Sequence, residues 1–292
     1  MPSNLVIEAF YDLATYTFSY LVMDMTSREA AVIDSVWDYD PKSGRTSTQS
    51  ADKLINRIRN LNADVRWHLE THVHADHLSA AQYLKKSVGG RVAISSRVTG
   101  VQNVFGKIFN AGSDFSEDGS QFDVLLADDE TLAIGPYVIS VLPSPGHTPA
   151  CVSYRIDDGE TLHLFIGDTL FMPDYGTARC DFPGGDAGTL YDSIQRIFSH
   201  PQNTKLYMCH DYPPATRSPE YLTTVGDQRR QNIHIHDGVS RDQFIAMRNG
   251  RDAQLSMPVL LLPSVQVNMR AGNLPAQEVN GVSYLKIPVN ML

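Results

Sequence analysis

Positive charge is in deficit in this sequence: 33 Asp and Glu against 24 Lys and Arg leave a formal net charge of −9. No basic cluster stands out, which argues against nucleic acid, polyphosphates or an anionic membrane surface as partners. No apolar run reaches the roughly 18 residues needed to span a bilayer. The start, Met1-Pro2-Ser3-Asn4, has neither the basic flank nor the apolar core of an export signal, so a cytoplasmic location is expected. Cysteine is scarce. Cys151, Cys180 and Cys209 form no C-x-x-C pair and no disulfide framework, which fits a reducing compartment. Short repeats and low-complexity tracts are absent as well.

What remains is the composition of an ordinary globular protein, 42% hydrophobic and 20% charged, in 292 residues. Short β-rich runs at Leu5 to Phe10, Tyr16 to Met23 and Ala30 to Ile33 are followed by a polar stretch, Asp38 to Ser50, that reads as a loop. Leu54, Ile55, Ile58 and Leu61 share one face of a helix over Ala51 to Leu61. A strand at Val65 to Leu69 and a helix at Ser79 to Val88 come next. The middle alternates strands with Gly, Pro and Asp punctuation, and Thr99 to Gly119 reads as a surface excursion. Helical spacing returns at Leu190 to Phe198, Thr223 to Asn232 and Ser240 to Asn249. Two groups of strands, each with helices, imply an α+β fold of two mixed sheets packed face to face with helices on the outer faces. The chain reads as one domain over 1–292 with an extended C-terminal arm from about Pro258.

The chemistry concentrates in Thr71-His72-Val73-His74-Ala75-Asp76-His77, directly after a strand. Extended backbone sends His72 and His74 to one side, leaving Asp76 and His77 to serve a neighbouring position. Imidazole nitrogen and carboxylate oxygen suit Zn, Fe or Mn. His147 in Ser144-Pro145-Gly146-His147-Thr148-Pro149, Asp168 in Gly167-Asp168-Thr169 and His210 each follow a strand too. Counting ligands alone suggests two metals. His72, His74, His147 and Asp168 would hold one, and Asp76, His77 and His210 the other, with Asp168 bridging.

The order H-x-H-x-D-H, H, D, H resembles the metallo-β-lactamase superfamily over about Leu5 to Asp211, which implies an αβ/βα sandwich with metal at one edge. Ser144 to Val152, Arg179-Cys180-Asp181-Phe182, His210-Asp211-Tyr212 and Asn268-Met269-Arg270 are similar to persulfide dioxygenases, the sulfur dioxygenases related to the ethylmalonic encephalopathy protein. That resemblance implies oxidation of glutathione persulfide by O2 to sulfite and glutathione. It implies one Fe(II) per chain, held by catalytic ligands His72, His147 and Asp168. His74, Asp76, His77 and His210 then become supporting residues or a second metal site. A threonine is expected where Cys180 stands.

Glutathione carries two carboxylates, so guanidinium groups are expected anchors. Arg179 and Arg270 are the candidates, with Tyr175 and Tyr212 as further contacts. The bland alternative for Arg179 is an ion pair with Asp181 or Asp186, and for Cys180 a small buried residue. His68, His163, His200, His234 and His236 lie off the pattern and read as structural or surface. Two competing functions stay open: a di-zinc hydrolase of the same fold, such as a glyoxalase II-like thioesterase or a lactonase, and a non-catalytic metal- or thiol-sensing protein. The sequence also leaves the oligomeric state open, a homo-oligomer included.

Overall fold

Side-chain alternation along the strands sets the layers. In the strand Thr17–Asp24, Phe18, Tyr20 and Val22 enter one apolar cluster, while Leu21 and Met23 enter another. Ala31 and Ile33 divide from Ala30 and Val32 in the same way in Glu29–Ile33. A period of two with both faces apolar means a strand buried on both sides, one face toward a second sheet and the other toward helices. The computed structural model, which describes residues 3–112 and 114–291, has that arrangement.

One six-stranded sheet runs in the order Leu5–Asp12, Thr17–Asp24, Glu29–Ile33, Asp64–Leu69, Arg91–Ser95, Val124–Leu126, antiparallel at first and parallel from Glu29–Ile33 onward. The other runs Thr131–Ile134, Tyr137–Pro143, Val152–Asp157, Leu162–Phe165, Lys205–Tyr207, Leu222–Thr224, with one parallel pair, Leu162–Phe165 beside Lys205–Tyr207. Tyr20, Ile33, Leu69, Val141, Tyr154 and Phe165 fill the space between the sheets. Leu54, Ile55 and Ile58 of helix Gln49–Asn60 and Leu84 of helix Ala81–Val88 cover the first sheet. Helices Ala187–Phe198, Val225–Gln231 and Arg241–Asp252 cover the second, through Leu190, Ile194, Val225 and Phe244. The result is the expected αβ/βα sandwich. Among the described residues no helix is long and apolar enough to cross a membrane.

The structure corrects three local expectations. Asp38 to Ser50 is not all loop: Val36–Asp40 and Arg45–Ser47 form a hairpin that joins Leu78–Ser79 in a small third sheet. Trp37, Tyr39 and Thr46 favour the pleat, and Gly44, at φ +67°, closes the turn. Thr99 to Gly119 is not merely an excursion. Val98–Ile108 is a helix that buries Val101 and Phe105, a fourfold spacing that Gly100 and Gly106 had masked; Ser113 in this stretch lies outside the described residues. The C-terminal arm begins with a buried helix, Leu261–Asn268, whose Pro263 sits in the first turn where its missing N–H costs nothing. After that helix, residues 269–291 hold no helix or strand.

Candidate metal centre

Four loops meet at one edge of the sandwich. Residues 70–77 follow strand Asp64–Leu69, His147 follows Tyr137–Pro143, Asp168 follows Leu162–Phe165, and His210 follows Lys205–Tyr207. His72, His74, His77, His147, Asp168 and His210 are buried, and Asp76 is half-buried. The structure gathers one donor atom each from His72, His147 and Asp168 within 4.8 Å, and separately from His74, Asp76, His77 and His210. Asp168 also groups with Cys209 and His210, and His74, whose ring lies 4.0 Å from that of His72, groups with Asp34 and Cys209 as well.

Two residues missed in the sequence hold the His-rich loop in place. Asp34, at φ +50° just past strand Glu29–Ile33, accepts from Thr71 N–H at 2.8 Å, from the Thr71 hydroxyl at 2.9 Å and from His74 Nε2 at 2.9 Å. Burial opposes its charge, but the His74 ring and the Thr71 donors outweigh it and hold the carboxyl below its ordinary range. Asn268 donates to the carbonyls of His74 and His77 at 2.9 and 2.8 Å and accepts from Ser79 N–H at 2.7 Å. A side chain from the last helix therefore satisfies three buried backbone groups around the ligand loop.

Hydrogen-bond chemistry assigns the tautomers. The Thr71 hydroxyl gives its only proton to Asp34, so toward His72 Nδ1, 3.0 Å away, it can only accept. His72 therefore carries its proton on Nδ1 and presents a bare Nε2. His147 Nδ1 faces the Arg179 carbonyl at 2.7 Å and must donate, which again bares Nε2. His74 Nε2 donates to the Asp34 carboxylate, and, against the cost of burial, Asp34 and then Glu70 push the His74 pKa well above its ordinary value. Burial, followed by the neighbouring histidines, pushes the His72 pKa well below normal and keeps its lone pair free.

His72 Nε2, His74 Nδ1, Asp76 Oδ2, His77 Nε2, Asp168 Oδ1 and His210 Nε2 are all buried without a hydrogen-bond partner. Six orphaned polar atoms along one edge of the sandwich are costly unless cations satisfy them. Nitrogen and carboxylate donors of this kind fit a first-row transition metal or zinc, so the residues suit the metal that the sequence pattern implies. His72 Nε2 and His147 Nε2 lie 3.9 and 3.8 Å from Asp168 Oδ2, spacings that leave room for an ion between them.

A cavity of about 540 Å³ opens beside these groups, with Asp76, His147 and Asp168 in its wall. Tyr175 and Tyr212 line it as expected candidates, their rings 4.8 Å apart. Arg179 also lines it, but its guanidinium is directed at Asp181 by two 2.6 Å hydrogen bonds and at the Ser256 carbonyl at 2.7 Å. Arg270 does not reach the cavity. It is buried, donates to the Gln266 carbonyl and stacks 4.4 Å over Phe115, because its helix turns the side chain toward the Val98–Ile108 region. Burial pushes the Cys180 thiol up, the bland alternative. His234, read as structural or surface, lies in the cavity wall together with Arg248 and Arg251, and none of the three carried a sequence signal.

The family model described as Metallo-beta-lactamase superfamily matches residues 14–210. A "Probable metallo-hydrolase" of Burkholderia pseudomallei is 60% identical over 294 residues, covering 99% of this chain and 100% of the relative. Glyoxylase B2 of Dictyostelium discoideum is 49% identical over 293 residues, covering 100% and 99%. Persulfide dioxygenase ETHE1 of Homo sapiens is 28% identical over 269 residues, covering 92% and 89%.

Proposed function

The chain belongs to the metallo-β-lactamase superfamily, and from that premise we propose that it is a metal-dependent dioxygenase with one Fe(II), oxidising glutathione persulfide. The observation that carries this reading is the group of His72, His147 and Asp168 beside the cavity. Two histidines and one carboxylate make the donor set of non-haem iron oxygenases, which leaves positions for a sulfur ligand and O2. The likeness to the human persulfide dioxygenase adds support along nine-tenths of the chain.

The reaction balances as persulfide plus O2 plus water giving thiol, sulfite and two protons. His72, His147 and Asp168 would hold the iron(II), which would supply the redox chemistry. The protein's own residues keep that site in register. Thr71 and the Arg179 carbonyl fix the two ring tautomers, as outer partners of metal ligands do. Phe182 packs edge-on to His147 at 5.2 Å, and Phe171, Tyr175 and Tyr212 line the cavity.

A specific observation favours a second reading, a dinuclear hydrolase. His74, Asp76, His77 and His210 also converge with unpartnered donors, and the relatives of 60% and 49% identity carry hydrolase-type names. His74, Asp76, His77 and His210 would then hold a second metal, and the metal pair would supply Lewis-acid activation for thioester hydrolysis. Metal analysis with an oxygen electrode separates the two. One iron per chain and O2 uptake on glutathione persulfide is the expected result. Two zincs per chain, S-lactoylglutathione hydrolysis and no O2 uptake would overturn the proposal.

A further inference from the structure

His234 is the one cavity histidine whose free atom is a proton donor. Its Nδ1 receives the Thr177 backbone N–H at 3.0 Å, so Nδ1 is an acceptor and the ring proton sits on Nε2. His234 is 7% exposed, and Nε2 is buried with no hydrogen-bond partner. The ring is seated deliberately: a Cβ on Gly176, at φ +102°, would fall 2.1 Å from Nδ1. Asn232 fixes the turn below it, accepting from the His234 and Ile235 N–H groups and donating to the Gly176 carbonyl. A buried N–H held this firmly and left without an acceptor is the mark of a ligand's place.

Two arginines share this end of the cavity. Arg248 is already satisfied, with Nε on Asp252 at 2.9 Å and Nη1 on the Thr177 carbonyl at 3.0 Å. Arg251, one helical turn on and exposed, also lines the cavity, and among the described residues no carboxylate lies within ion-pair distance of it. From the metal donors the wall runs His210 to Tyr212 to Tyr175, ring steps of 5.9 and 4.8 Å.

We propose that His234 Nε2–H and the Arg251 guanidinium form a carboxylate-binding subsite at the end of the cavity away from the metal donors, and that it anchors the thiol carrier by a carboxylate. The proposal deepens the functional reading above and rests on it for the identity of the carrier. A guanidinium fork paired with a neutral N–H suits a planar carboxylate. Burial, then Arg248 and Arg251, push the His234 pKa down to about 4, so the ring is a neutral donor at neutral pH and adds no competing charge. A cavity of this volume takes a tripeptide-sized ligand.

Calorimetry on the metal-loaded protein tests this with S-methylglutathione, a thioether that neither reaction turns over, and with its dimethyl ester. The wild type should bind the acid at least about tenfold more tightly than the ester. Arg251→Met should weaken the acid about tenfold and shrink that ester penalty toward one. His234→Asn, which keeps an acceptor for Thr177 N–H while withdrawing the donor from the cavity, should do the same to a smaller degree. Equal wild-type binding of acid and ester, variants that weaken both alike, or no binding of the acid would each overturn the subsite. Binding of S-methyl-coenzyme A in place of S-methylglutathione would assign these groups to phosphate and also overturn it. Failure of the dioxygenase reading shows in O2 uptake and leaves the ester penalty untouched.

Discussion

The two ends of the cavity use the same residue type with opposite polarity. At the metal end, His72, His74 and His147 each turn one ring nitrogen to an acceptor: the Thr71 hydroxyl, the Asp34 carboxylate and the Arg179 carbonyl. The other nitrogens of His72 and His147 are left as bare lone pairs. At the far end, His234 meets a donor, the Thr177 N–H, and is left with a buried, unpartnered proton on Nε2. Imidazole is a cation ligand in the first setting and an anion ligand in the second, and the second neighbour of each ring decides which.

Removing the metal end is the most damaging change. His72→Ala, His147→Ala and Asp168→Ala should each strip the catalytic metal and drop turnover below about one-thousandth of wild type. His210→Ala should keep most of the metal in a one-iron site, as elemental analysis reads directly. Loss of half the metal in His210→Ala would instead mean that the second donor group is also a metal site, erasing the distinction between ligands and supports.

The two ends are also joined, through the buried pair Arg248–Asp252. Asp252 accepts from Cys180 N–H at 2.9 Å while Arg248 donates to the Thr177 carbonyl, so the pair clamps residues 177–180 from both sides. The Arg179 carbonyl, in the same peptide unit as the Cys180 N–H, is the one that orients His147. Asp252→Asn should therefore cost about 3–5 kcal/mol of stability, the usual penalty for a buried charge left alone, and should weaken metal binding from a distance. Denaturant melts with metal titration check both. Unchanged metal affinity in a folded Asp252→Asn protein would show that the ends are independent.

How much of this was legible in the sequence follows from locality. The metal end could be read because His72, His74, Asp76 and His77 fall within six residues, and His147, Asp168 and His210 each close a strand whose apolar run is visible. Asp34 and Asn268 could not, because each acts across the fold: Asp34 lies 37 residues from Thr71 and Asn268 lies 191 from His77. In Asn268-Met269-Arg270 the motif was noticed, but the expected contact fell on Arg270, and the working residue is the neighbour whose amide fits three backbone groups. His234, Arg248 and Arg251 come together only because helix Arg241–Asp252 crosses the cavity mouth, and helical period alone does not say what a helix crosses. The helix Val98–Ile108 was readable from Val101 and Phe105, and its glycines outweighed that period.

A histidine with no part in either end sharpens the contrast. His68 donates through Nε2 to the Gly89 carbonyl at 2.8 Å, and burial pushes its pKa down to about 4. The unfolded chain takes up this proton near pH 6.5 and the folded chain does not. Its contribution to stability is therefore complete above about pH 6.5 and is lost as pH falls toward about 4, a change of about 3 kcal/mol. His68→Gln retains a donor for Gly89 and cannot titrate, so its stability should fall less steeply across that window. Parallel pH profiles for the two proteins would move the acid sensitivity to the metal-end histidines.

Arg179 separates a charge that lines the cavity from a charge that is free to act there. Its guanidinium already meets both oxygens of Asp181 and the Ser256 carbonyl, and it stacks 5.2 Å over Phe182. Its carbonyl, which orients His147, survives any side-chain substitution. Arg179→Ala should thus change KM by no more than about threefold and leave kcat nearly intact, because a partly exposed pair of this kind contributes about 1 kcal/mol or less. Arg251, without such a partner, should show several times the effect on KM. A larger KM rise in Arg179→Ala than in Arg251→Met would reverse the assignment, meaning that substrate displaces Asp181 and that the carrier's anion lies nearer the metal than the His234 end.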